Sequence, residues 1–162
     1  MNKILWKPSD KKSAESILEN FTKFVDLKSN YNFRDVWEWS VNNQEIFWSK
    51  FWDFSNIIGD KGSEVIRKDK IFNKTKFFPN SKINYTENIL KKKTDNLAIN
   101  FLSETGSEES ISWKQLYEKV CKFSFYLKSL NLKKGDRVVA YIPNKIESVI
   151  SFLACAKNGI IW

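Results

Sequence analysis

The chain has 162 residues, 42% of them hydrophobic and 28% charged, which is enough for one domain with a real core and too few for two large ones. It contains no histidine, which excludes Ser-His-Asp and Cys-His catalytic groups and every histidine-bearing metal site. Its net charge of +8 comes from 24 Lys and only three Arg, scattered along the chain. Such a diffuse basic surface increases solubility and non-specific binding of polyanions, but it does not identify a partner.

The amino-terminal third is predicted to be helical and rich in aromatic rings. Apolar residues at helical spacing follow a cap at Ser9 or Asp10, and this helix is predicted to end near residues 29–30. A second helix is predicted to begin at Asn32 and a third after residues 42–43. Five of the seven Trp lie within the first 52 residues. So many large rings predict a helical layer that packs onto something larger than itself.

The next stretch is predicted to be irregular as far as residue 82, with a few short elements. These are a turn at 59–62, short strands at 65–66 and 70–72, a fixed loop at 77–81 and a short helix over 84–90.

From residue 95 the pattern predicts an α/β fold. Residues 97–102 and 110–113 are two strands of a hairpin, and Ser112 caps a helix that carries Leu116 at the start of an apolar stripe. The further predictions are a strand over 137–142 that is buried on both faces, a helix over 146–156 and the beginning of a strand at 159–162.

Strand, helix and strand with short connections predict a right-handed parallel βαβ unit. Its second strand has only about three residues in this sequence, and a natural domain seldom stops inside a buried strand. We therefore expect the chain to be the amino-terminal piece of a larger α/β protein.

No group in the sequence has the pattern of a catalytic, cofactor-binding or metal-binding site. Neither G-x-G-x-x-G nor G-x-x-x-x-G-K-[ST] occurs, and Asp136 is best explained as a turn residue that binds local backbone amides. The three acids near the hairpin turn are most simply solvated, and both cysteines fall in apolar helices as small buried side chains. The acids are Glu104, Glu108 and Glu109, and the cysteines are Cys121 and Cys155.

Composition also bears on compartment and partners. Two cysteines are too few for a disulfide framework, which favours a cytoplasmic location, and no apolar run reaches the roughly 18–20 residues of a membrane helix. Aromatic clusters between lysines would suit base stacking, but their helical spacing favours core packing. We expect no specific nucleic-acid partner and no membrane insertion.

Several stretches of the sequence resemble acetoacetyl-CoA synthetases and occur in the same order as in that family. Residues 77–90 read Phe-Phe-Pro-Asn-Ser-Lys-Ile-Asn-Tyr-Thr-Glu-Asn-Ile-Leu, which is similar to that family's Trp-Phe-Pro-Gly-x-x-Leu-Asn-Tyr-Ala-Glu-Asn-Leu-Leu signature. The mild departures are Phe77, Asn80 and Thr86. The stretches at 5–9, 39–41 and 47–54 match the start of the same family.

The second half resembles the opening of adenylate-forming acyl-CoA synthetases in general. The matching stretches are 111–116, 135–138 and 141–144. Residues 159–162, Gly-Ile-Ile-Trp, are similar to the Gly-Ala-Ile-Trp of the acetoacetate branch, whereas the acetate branch usually has His at the place of Trp162.

The resemblance implies an AMP-forming ligase that joins acetoacetate to coenzyme A with ATP and Mg²⁺. In the family, a Thr-Ser-Gly-rich phosphate loop, acidic motifs and a mobile lysine carry the chemistry, and all of them correspond to sequence beyond Trp162. No site residue is therefore carried over: catalytic none, cofactor-binding none, metal none. We expect this chain alone to bind none of these groups and to be inactive, with the substrates contacting the missing part.

The resulting fold prediction has two parts. Residues 1–94 are predicted to form the helical, aromatic-rich extension of short-chain acyl-CoA synthetases, and residues 95–162 the first hairpin and βαβ unit of a truncated adenylate-forming domain. Two alternatives stay open: a sibling synthetase for acetate or propionate, and a basic polyanion-binding module.

Overall fold

The computed structural model describes residues 5–27 and 32–162. The chain divides into two compact units, Met1–Lys82 and Ile83–Trp162, which are described separately below. The predicted domain division after residue 94 stays a prediction.

The first unit begins with two short helices, α1 (Asp10–Ala14) and α2 (Ile17–Phe24), where one continuous helix was predicted. The single-helix prediction is wrong because Ser16 adopts an extended conformation, with φ −69° and ψ 152°, and its side chain accepts a hydrogen bond from Glu19 N. A serine in this role begins a new helix. The predicted cap at Ser9 is confirmed, and the predicted end at 29–30 lies outside the described residues.

The next two helices lie where the sequence predicts them. α3 (Phe33–Asn42) begins with a reciprocal capping box, in which Asn32 and Asp35 each accept from the other's backbone N–H. α4 (Gln44–Phe54) follows after Asn43.

Aromatic packing holds α2 against α4. Phe21 is buried and makes edge-to-face contacts with Phe47, Phe51 and Phe54, at ring-centroid distances of 5.7, 5.9 and 5.2 Å. The prediction that the helical spacing of the rings serves core packing is confirmed at Phe21.

The remainder of the first unit consists of short strands and turns. The strands are β1 (Gly59–Asp60), β2 (Ile66–Arg67), β3 (Lys76–Phe77) and β4 (Lys82–Ile83), and β2 pairs antiparallel with β3. The predicted strand at 70–72 is wrong. The Asp69 carboxylate accepts from Ile71 N at 2.9 Å, and this local turn leads into a 3₁₀ helix, Phe72–Lys74.

The second unit contains a short helix, a two-stranded antiparallel sheet and two longer helices. They are α5 (Tyr85–Ile89), β5 (Leu97–Leu102), β6 (Glu108–Ser112), α6 (Trp113–Ser129) and α7 (Ile146–Lys157). α6 begins with the predicted cap at Ser112, which exchanges hydrogen bonds with Gln115. The core is formed by Leu90, Ile111, Leu116, Val120, Leu127, Ile146, Ile150, Leu153, Ala154, Cys155 and Ile160.

The predicted buried strand over 137–142 is wrong. Among the described residues, the pairing shown for this segment is one parallel bridge, between Arg137 and Ile161, so the predicted βαβ unit reduces to this bridge and α7. Val139 is 95% exposed and Tyr141 is fully exposed. The reason is that, within residues 5–27 and 32–162, no further strand pairs with this segment, and a strand is buried only where neighbours cover it.

In the described parts of the chain, no helix combines the length and hydropathy that a membrane crossing requires.

Candidate functional site

The turn aspartate and the three hairpin glutamates, for which the sequence predicted no catalytic role, lie in the environments expected of them. Asp136 accepts a hydrogen bond from Lys133 N at 2.7 Å, as expected for a turn residue. Glu104, Glu108 and Glu109 are exposed around the turn between β5 and β6. Exposed, solvated acids lack the burial that gives an acid and base pair matched pKa values.

The two cysteines differ in environment, and neither forms a disulfide. Cys155 is completely buried in α7, and this burial raises the pKa of its thiol above the ordinary value. A raised pKa disfavours the reactive thiolate. Cys121 lies half-buried on α6.

The side chains present do not fit the Mg²⁺ that the resemblance implies. Among residues 5–27 and 32–162, no three His, Cys, Asp or Glu side chains lie close enough together to hold a metal ion. We assign no metal ligand and derive no step through the metal.

An apolar groove lies between α2, α3 and α4 within the first unit. Its volume is about 340 Å³, and Ser40 is its one polar lining residue among the described ones. The apolar lining residues are Ile17, Leu18, Phe21, Phe33, Val36, Trp37, Phe47, Phe51 and Phe54.

The loop at the start of the family-like signature is held against α4. The ring centroid of Phe77 lies 5.2 Å from that of Trp48, and that of Phe78 lies 4.9 Å from that of Trp52. Phe78 has φ +46°, an unusual value for a bulky residue. Its N–H donates to Val65 O at 2.7 Å, so the loop is fixed by backbone and ring contacts together.

The second half of the signature binds the end of α7. Asn84 Nδ2 donates to Ala156 O at 3.0 Å and Lys157 O at 3.2 Å, while its Oδ1 accepts from Glu87 N and caps α5. The fully buried Thr86 donates from Oγ1 to Leu153 O at 2.7 Å.

A second polar pair reaches the same helix end from α6. Ser124 Oγ donates to Asn158 Oδ1 at 3.0 Å, and Asn158 Nδ2 donates to Ser124 O at 3.1 Å. We call Asn84, Thr86, Ser124 and Asn158 together the α7 clamp. The sequence predicted a short helix over residues 84–90, but nothing in it indicated that Asn84 has partners on α7.

Comparisons with known proteins show which proteins this chain is similar to. A family model described as AMP-binding enzyme matches residues 86–162. The acetoacetyl-CoA synthetase of Macaca fascicularis is 32% identical over 98% of this chain, and the match covers 24% of that protein. The acetyl-coenzyme A synthetase of Desulfatibacillum aliphaticivorans is 37% identical over 80% of this chain and 21% of its own length.

A solved structure has a fold similar to that of this chain. The acetoacetyl-CoA synthetase from Streptomyces lividans superposes with a TM-score of 0.85, at 24% sequence identity, over 99% of this chain and 26% of that chain. The chain thus spans about a quarter of the length of the acetoacetyl-CoA synthetases that it matches. Over nearly its whole length the chain is similar in sequence to acetoacetyl-CoA synthetases, its fold matches that of one of them, and residues 86–162 match the model described as AMP-binding enzyme.

Proposed function

We propose that this chain is the amino-terminal part of an AMP-forming acetoacetate–CoA ligase that works in the cytoplasm. In the first step, the carboxylate of acetoacetate attacks the α-phosphorus of ATP and pyrophosphate leaves. In the second step, the thiol of coenzyme A attacks the acyl carbon and AMP leaves, which gives the thioester. We propose Mg²⁺ as a cofactor of the whole enzyme, held by parts of it other than this chain.

One observation carries this proposal. Acetoacetyl-CoA synthetases align with 98% of the chain, including its aromatic-rich amino-terminal third, whereas the acetyl-CoA synthetase match covers 80%. The residue at the end of the chain supports the same branch, since Trp162 stands where acetate enzymes usually have His.

The part played by this chain is structural. We propose that residues 1–94 form the extension and that residues 95–162 begin the adenylate-forming domain, with the substrates held by other parts of the enzyme. Strand ends are where α/β folds bind ligands, which makes the region of Trp162 the part of this chain nearest to such a site.

A sibling enzyme for acetate is the second candidate, because the acetyl-CoA synthetase relative has the higher identity over its shorter match. The two functions differ in one measurable quantity, the ratio of kcat/KM for acetoacetate and acetate. A pocket that binds the extra carbonyl of acetoacetate leaves polar groups unpaired with acetate, which costs several kcal/mol.

The test uses the longest polypeptide encoded in frame with this sequence, assayed with ATP, coenzyme A and each acid. We expect kcat/KM to favour acetoacetate by at least about a hundredfold. A ratio near one, or in favour of acetate, would assign the protein to the sibling branch. Absence of any acid-dependent AMP release from a folded, full-length protein would reject the ligase proposal altogether.

The 162-residue chain by itself is the control for the site assignment. We expect it to catalyse no carboxylate-dependent exchange between pyrophosphate and ATP above a protein-free blank. Exchange by the purified chain would show that it holds catalytic residues that we have not assigned.

Any binding of the chain to nucleic acid should weaken steeply with salt and show no sequence preference, as expected for scattered lysines.

A further inference from the structure

The chain makes a sharp change of direction where α7 ends. Asn158 is the last capping residue, and Gly159 has φ +70°, in the left-handed region that glycine tolerates. A Cβ added at Gly159 would also lie 3.0 Å from Lys134 Cγ, a tight contact that the Lys134 side chain would have to relieve by moving. The turn therefore depends on a backbone conformation that glycine adopts readily.

The end of α7 is bound from two directions, at its carbonyl groups by Asn84 and at the side chain of Asn158 by Ser124. A helix leaves its last four carbonyls without partners inside the helix, and here Asn84 Nδ2 reaches both Ala156 O and Lys157 O. From the other side, the Asn158 amide exchanges two hydrogen bonds with Ser124 on α6. The end of α7 is thus fixed to both α5 and α6.

The segment that leaves the clamp is anchored by Ile160, which is buried in the core and whose N–H donates to Cys155 O at 2.9 Å, and it makes few pairing bonds to residues 135–138. Gly135 N donates to Gly159 O at 2.9 Å, Ile161 N to Asp136 O at 2.8 Å and Val138 N to Ile161 O at 2.9 Å. These three bonds surround a single parallel bridge, and a slip of one residue would turn every side chain to the opposite face.

We propose that Asn84 is a positioning residue, whose hydrogen bonds to the end of α7 set the direction of residues 159–162 and keep them in register with residues 135–138. The rest of the α7 clamp acts with it. This role gives a physical reason for the Asn-Tyr-Thr-Glu-Asn part of the signature, and it goes beyond the proposed function because it holds for any acid that the enzyme uses.

The chemistry of Asn84 allows its two tasks to be separated. In Asn84→Ser, the serine oxygen still caps α5 by accepting from Glu87 N, but the amide donor to Ala156 O and Lys157 O is lost. Amide hydrogen exchange of the whole 162-residue chain, resolved by residue with NMR, then reports each region separately.

We expect exchange at Val138 and Ile161 to accelerate about tenfold in Asn84→Ser, the size expected for losing hydrogen bonds to a helix end. Amides of the β5–β6 sheet and of the middle of α6 should change less than about twofold. The amide chemical shifts of residues 159–161 should move as well. Asn96→Ser, at an exposed position in the same unit, is the matched control and should leave all of these values unchanged.

Two results would overturn the proposal. One is unchanged exchange at Val138 and Ile161 in a folded Asn84→Ser chain. The other is acceleration by one common factor throughout the second unit, which would mean that Asn84 contributes only to overall stability. If Asn84→Ser does not fold, Ser124→Ala is the second test: it removes the bond from Ser124 Oγ to Asn158 Oδ1, one of the two bonds on the α6 side of the clamp, and should give the same local pattern in weaker form.

Discussion

Thr86 carries a buried hydroxyl at a position where the family signature has alanine. Its side chain is completely buried, and its Oγ1 donates to Leu153 O, 67 positions away in the sequence. A buried hydroxyl is costly unless it has a hydrogen-bond partner, and here the partner is supplied by α7. Threonine in place of alanine at position 86 therefore adds a hydrogen bond between α5 and α7.

Replacing this hydroxyl by a methyl group should weaken the second unit. Thr86→Val keeps the volume and loses one buried hydrogen bond, so we expect the free energy of unfolding to fall by about 1–2 kcal/mol. Urea unfolding followed by circular dichroism measures the change. Thr94→Val, at an exposed threonine, is the control, and equal losses in the two variants would contradict the assigned role of the Thr86 bond.

Cys155 should be unreactive in the folded chain. Burial raises the pKa of its thiol, so folding favours the neutral form. This contribution to stability is complete below the ordinary thiol pKa and is lost as the pH rises through the raised value of the folded state.

Thiol labelling at pH 8 tests this expectation. In Cys121→Ser, the remaining Cys155 should react at least about tenfold more slowly in buffer than in urea. In Cys155→Ser, the half-buried Cys121 should show a smaller difference. Equal labelling rates for the two thiols in the folded chain would contradict the burial of Cys155.

At the scale of single elements, end signals decide where helices begin. α6 starts at a capping box in which Ser112 Oγ accepts from Gln115 N and Gln115 Oε1 accepts from Ser112 N. We expect Ser112→Ala to lower the free energy of unfolding by about 1 kcal/mol, measured in urea. Ser63→Ala, at an exposed serine, should be neutral. A Ser112→Ala chain as stable as the original would mean that packing alone fixes the start of α6.

Elements with strong local signals were predictable, and elements that depend on neighbours were not. The starts of α3 and α6 are specified by a cap and its partner three residues later, so the sequence shows them directly. Ser16 carries an equally local signal, but the apolar spacing on both sides of it favoured one long helix. The segment 137–142 is as apolar as a central strand, yet its burial depends on partners that local pattern does not reveal.

The candidate site shows the same limit. The sequence predicted a short helix over residues 84–90, and in the structure Asn84 caps this helix. Its second set of partners lies 72 and 73 positions further along the chain, where no periodicity or motif connects them. Long-range side-chain contacts of this kind follow from the fold and become visible only with it.

At the scale of the whole molecule, exposed apolar surface is the main feature. Val139, Tyr141 and Phe125 are among the large apolar side chains that face solvent in the second unit, and the first unit has the groove lined by α2, α3 and α4. Apolar patches of this kind promote association in isolated chains.

We therefore expect the 162-residue chain to bind an apolar-surface dye and to sediment as a concentration-dependent mixture of species. The double variant Val139→Lys with Tyr141→Lys should reduce both effects if residues 137–142 are responsible. Phe125→Lys places a charge at an exposed ring elsewhere on the second unit and is the matched control. A monomeric chain with a sharp cooperative melt and no dye binding would contradict this expectation.

The α7 clamp also has a consequence for the order in which the second unit folds. α5 has only five residues, too few for a stable helix in isolation, and its main partners arrive at residues 153–157. During synthesis, α5 leaves the ribosome long before α7 exists. The strands β5 and β6 pair with each other across a short turn and form without this delay. The family-like signature is therefore synthesised early but folds late. Its contacts with α7 form only after the entropic cost of closing a loop of about seventy residues has been met.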